Sequence, residues 1–88
     1  MTIAFSNDYN KGMKVLVENF IANVNDLLHR RGWSRAEFAR RLGVTPGYVT
    51  QILNGHHEPG LRVVETWAAT LGVTAAYVLR EKKVEKIA

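Results

Sequence analysis

Apolar residues recur at intervals of three and four along most of the chain. No stretch of useful length alternates apolar with polar, so the pattern predicts helices and no sheet. The longest periodic segment runs over residues 13–31, where Leu16, Phe20, Val24, Leu27 and Leu28 share one face and Val17 and Ile21 widen it. Phe38, Ala39 and Leu42 form a second apolar face, Val49, Ile52 and Leu53 a third, and Val64, Trp67, Ala68 and Leu71 a fourth. Gly32, Gly43, Gly55 and Gly72 each close one of these segments, the position at which a left-handed helix terminus favours a residue without Cβ.

Start signals alternate with those stops. Ser34 has Glu37 three residues on, a capping-box spacing, Thr45 precedes Pro46, and Thr74 offers a third N-cap. Pro59 and Gly60 interrupt the chain and imply a loop from about Gly55 to Gly60. Five helices are therefore expected, over 13–31, 35–42, 46–54, 61–71 and 75–82. The expected fold is all-α: a five-helix domain over 13–80, preceded by an N-terminal arm (1–12) and followed by a charged tail (81–88). The arm has only Ile3, Phe5 and Tyr9 as large apolar groups, and the tail alternates charge around Val84 and Ile87.

Composition narrows this further. At 88 residues and 47% hydrophobic the chain has room for one small domain. With no cysteine it must be held by its core alone, which suits compact helices and a reducing cytoplasm. The longest charge-free apolar stretch, Trp67 to Leu79, falls well short of the roughly 20 residues of a membrane span, and no secretory leader is visible. No membrane association is expected.

Catalytic chemistry is hard to assemble from the inventory. His29, His56 and His57 are the only imidazoles, and adjacent His56 and His57 point apart on most backbones, so neither a metal site nor a general base stands out. The two serines are Ser6 and the capping Ser34, and the glycines are spaced as helix stops rather than as a phosphate cradle. The expectation is a non-enzyme without metal or cofactor.

The net charge of +4 is unevenly distributed. Residues 29–62 hold all of the excess: six arginines, five of them at Arg30, Arg31, Arg35, Arg40 and Arg41, against Glu37 and Glu58. Guanidinium forks suit phosphate, although a solvated helical face would look the same. Spacing separates the two readings. The second helix ends at Gly43 and the third starts after Thr45, a three-residue turn that holds the pair at a steep angle. Ala39 supplies the small residue at their approach, Gly43 the turn, and Val44 and Val49 the apolar plug beneath. Together these features make a helix-turn-helix.

The run Ser34 to Gly55 (SRAEFARRLGVTPGYVTQILNG), Pro59, and the run Trp67 to Thr74 (WAATLGVT) resemble the helix-turn-helix domains of the phage lambda repressor and Cro type. The resemblance spans about residues 17–80. It implies a phage or bacterial DNA-binding transcriptional regulator in which the third helix lies in the major groove of double-stranded DNA and the second abuts the backbone. On that reading Pro46, Gly47, Tyr48, Thr50 and Gln51 face the bases, while Ser34, Arg35, Thr45, Asn54, His56, His57 and Arg62 face phosphates. Asn54 is equally suited to capping the third helix.

Two departures matter. Arg35 replaces a glutamine usual in the family, and Pro46 with Gly47 stand where many relatives have long polar side chains, which shifts base reading to Tyr48, Thr50 and Gln51. The resemblance further implies a homodimer on a two-fold operator, with Tyr77, Val78, Val84 and Ile87 as candidate contacts, acting as a repressor at the nucleoid. A second reading makes the same fold an antitoxin or adaptor whose main partner is a protein, with the long first helix and the two ends as its surface and Ile3, Phe5, Val84 and Ile87 as the features that favour it.

Overall fold

The computed structural model describes the backbone of residues 2–81 and the side chains of residues 14–81. Five helices follow in order: α1 (Thr2–Arg31), α2 (Arg35–Leu42), α3 (Pro46–Leu53), α4 (Leu61–Leu71) and α5 (Ala75–Leu79), with no strand among the described residues. The three expected caps all operate. Ser34 Oγ accepts the Glu37 amide, Thr45 Oγ1 the Tyr48 amide and Thr74 Oγ1 the Tyr77 amide, at 3.0, 3.2 and 3.1 Å.

The apolar stripes converge on one core. Trp67 is its largest member, with Phe20 at 5.5 Å and Phe38 edge-on at 5.1 Å between ring centres. Val24, Ala39, Val49, Ile52 and Val78 are fully buried around them, so every helix contributes at least one side chain. The capping box is half-formed. The Glu37 carboxylate goes to Arg40 and Arg41 rather than back to the Ser34 amide.

The structure corrects several boundaries. α1 begins at Thr2 and not at residue 13, so the backbone of 2–12 continues the helix instead of leaving it as an arm. No proline interrupts that stretch. Gly12 costs a helix only about 1 kcal/mol, and extension avoids the unfavourable nucleation step. α3 stops at Leu53, with Asn54 as its C-cap. α5 stops at Leu79 rather than at 82, because Arg80 is extended and a side chain takes over the last carbonyls. That side chain is Asn23, a buried polar residue of α1 whose Nδ2 donates to the carbonyls of Val78 and Arg80, each at 2.9 Å. Asn19, one turn earlier, donates to the Leu79 carbonyl at 3.2 Å.

Three side chains differ from expectation. Leu16 is 47% exposed, whereas Phe20, one turn further along the same face, is fully buried. Val44 is exposed and does not plug the turn; Val49 alone does so from below. Val78 is fully buried in its own chain, which removes it from the candidate dimer contacts.

Candidate nucleic-acid interface

The turn between α2 and α3 is built from three residues, Gly43 to Thr45. Gly43 adopts φ 78°, a left-handed conformation that costs any residue with a Cβ, and its amide donates to the carbonyls of Ala39 and Arg40. The Val44 amide also returns to the Ala39 carbonyl, at 3.0 Å, which closes the C-terminus of α2 within two residues. Thr45 then caps α3, and Pro46 occupies its first turn, where a missing N–H costs nothing. Ala39 and Val49, both fully buried, belong to the same core and fix the two helices together from beneath.

The opposite side of α3 faces outward. Pro46, Gly47 and Gln51 are exposed, while Tyr48 and Thr50 are half-buried. Tyr48 leans on the edge of the core and lies 6.0 Å from the His57 ring. A Cβ built on Gly47 would meet no atom within 4 Å, so this glycine is not required by the fold itself.

Two candidate phosphate residues meet. Arg35, the first residue of α2, places Nη1 3.3 Å from Oδ1 of Asn54 at the end of α3, which links the two ends of the motif. The Asn54 backbone closes α3, its amide donating to the Thr50 carbonyl at 2.9 Å. The expected alternative roles of Asn54 are therefore compatible, since capping uses its main chain and leaves its amide group outward. Ser34, Thr45, His56, His57 and Arg62 are all exposed, Ser34 and Thr45 with their hydroxyls engaged as caps.

The remaining arginines are less available than their number suggests. Arg30 pairs with Asp26 at 2.9 Å. Arg40 and Arg41 share the Glu37 carboxylate at 2.6 and 2.7 Å. The Arg40 hydrogen bond is the main reason that the Glu37 carboxyl titrates below its ordinary range, with Arg41 adding to the effect, and Glu37 in turn raises Arg40. Arg31 donates to the Leu71 carbonyl at the end of α4, and Arg41 stacks at 4.0 Å over Trp33. Arg62 carries no ion pair among the described residues.

Sequence reasoning missed two of these assignments. Asn23 was detectable as a polar residue set at helical spacing between Phe20 and Leu27. Arg31 gave no comparable signal, since its partner is a main-chain carbonyl 40 residues away.

Two short capped helices joined by a tight turn, the second outward-facing and bracketed by an arginine and an asparagine, define a helix-turn-helix, the class of domain that sets one helix in a DNA groove. A helix-turn-helix family profile matches residues 26–78. The chain belongs to this family, in its lambda-repressor and Cro branch, whose members are DNA-binding transcription regulators. No curated protein matches it significantly. Among solved structures, the crystal structure of a hypothetical transcription factor NHTF from Neisseria is similar, with 31% identity and a TM-score of 0.70 over 74% of this chain and 75% of that one.

Proposed function

We propose that this chain is a non-enzymatic, sequence-specific transcriptional repressor that binds as a homodimer to a two-fold DNA operator in the cytoplasm. The observation that carries the reading is the outward face of α3, where Gln51 stands exposed beside Tyr48 and Thr50 and the Arg35–Asn54 pair joins the two ends of the motif. Gln51 has the geometry to pair with adenine N6 and N7, and Tyr48 offers a ring edge to a thymine methyl. Pro46 and Gly47 contribute no hydrogen-bonding side chain, and Gly47 lets the α3 backbone approach the bases closely.

Arg35 holds a phosphate, aided by the positive end of α2 and by Asn54, while Ser34 and Thr45 border the same strand. His56, His57 and Arg62 extend the phosphate track beyond α3. One domain covers too little DNA for tight binding, so two copies on half-sites about 34 Å apart supply the affinity. Tyr77, half-buried on α5 beneath Arg80, is the dimer candidate within the described residues, and Val84 and Ile87 lie outside them.

Titration against a selected operator and a random duplex at several salt concentrations tests the reading. Arg35→Ala is expected to weaken binding to both and to lower the slope of log K against log salt by about 1. Gln51→Ala is expected to cost about 1–3 kcal/mol on the operator and little on random DNA. Equal affinity of the unaltered chain for both duplexes would overturn the sequence-specific reading.

A further inference from the structure

The chain leaves α3 in a way that turns it back along the helix. Gly55 adopts φ 81°, its amide donates to the Ile52 carbonyl at 3.0 Å, and the His56 amide donates to the Gln51 carbonyl at 2.9 Å, the pair of bonds that ends a helix through a left-handed glycine. The turn is thereby anchored on the stretch of α3 that presents Tyr48 and Gln51, which stand three residues apart and share a face. It brings the ring of His57 to 6.0 Å from the ring of Tyr48, tilted by 59°. That separation is within the roughly 4.5–7 Å of an attractive aromatic pair.

The geometry points to His57 as a positioning residue for base recognition: its ring holds Tyr48 in the orientation that α3 offers to the DNA.

Tyr48 is held from two sides. It is half-buried against the edge of the core, and the exposed His57 ring lies against it from the loop. A surface tyrosine with only the core edge behind it can occupy more than one staggered χ1 state, and a second ring against it disfavours the alternatives before DNA arrives, so less ordering is left to be done on binding. A phosphate contact from His57 strengthens binding to every duplex alike, because phosphates carry no sequence information. A held Tyr48 strengthens binding only where the right base stands. This role of His57 rests on the reading of Tyr48 as base-facing, and it is additional to a place on the phosphate track.

His57→Ala, His57→Phe and His57→Lys, each with and without Tyr48→Ala, separate the two roles. The ratio of affinities for a selected operator and a random duplex is expected to fall about 2- to 10-fold in His57→Ala, to be kept in His57→Phe, and to be insensitive to residue 57 once Tyr48 is alanine. His57→Lys is expected to bind both duplexes more tightly than His57→Ala without restoring the ratio. Restoration by lysine and not by phenylalanine, or an equal fall in the Tyr48→Ala background, would overturn the inference. A DNA-free measurement distinguishes its failure from failure of the base-facing reading. In the free chain, NMR cross-peaks between the two rings and Tyr48 Hα–Hβ couplings of a single χ1 rotamer are expected, kept in His57→Phe and averaged in His57→Ala. Couplings unchanged in His57→Ala would overturn the positioning role whatever the DNA result. Averaged couplings there, in a chain whose unaltered form prefers neither duplex, would overturn the base-facing reading of Tyr48 and this inference through it.

Discussion

At the scale of single residues, stability and recognition separate most clearly at Gly47. Its Cβ position is open, so Gly47→Ala relieves the entropic cost of a helical glycine and is expected to stabilise the free chain by about 0.5–1 kcal/mol. If the α3 backbone approaches the bases there, the same methyl weakens operator binding. A raised melting temperature with unchanged affinity would place the DNA elsewhere. Glu37 acts through charge. Its carboxyl is held below its ordinary value of 4.5, first by the hydrogen bond from Arg40, so the charged form is favoured in the folded chain. The stabilisation is therefore present above that ordinary value and is lost as pH falls through the lower folded one. Thermal melts of the native chain and of Glu37→Gln should differ at neutral pH and converge in acid. A difference that persisted in acid would mean that Glu37 acts through something other than its charge.

At the scale of elements, α5 is the shortest helix among the described residues, with five, and it is held from outside itself. Asn23 donates from a buried position to the carbonyls of Val78 in α5 and of its C-cap Arg80, so Asn23→Ala strands the buried Val78 acceptor and is expected to cost about 1–3 kcal/mol. Amide hydrogen exchange should rise first in α5, since its own helical bonds are few. Uniform loosening across all helices would instead assign Asn23 to the core at large. The elements also show what local pattern can reveal. Caps at Ser34, Thr45 and Thr74 and stops at the glycines are local chemistry, and α2 and α4 ended where those signals stand. α1 begins at Thr2 and not at residue 13, because a scarcity of large apolar groups in residues 2–12 does not end a helix that no proline interrupts.

At the scale of the whole molecule, the electrostatic footprint is smaller than the arginine count implies. Arg31 belongs to the fold through the Leu71 carbonyl and the Trp33 ring, whereas Arg62 is exposed without an ion pair among the described residues. Arg31→Ala is expected to lower the melting temperature with little effect on operator affinity. Arg62→Ala should leave stability unchanged and reduce the salt slope by about 1. The reverse pattern would invert the two assignments. Helix type, the turn at Gly43 and the identity of the outward residues on α3 were legible in the sequence, because periodicity, caps and glycine stops act over three or four residues. The main-chain partner of Arg31, the burial of Val78 and the tie from Asn23 to the end of α5 were decided only by tertiary structure. Each depends on which surfaces meet across 40 or more residues of chain, and short-range pattern carries no record of that.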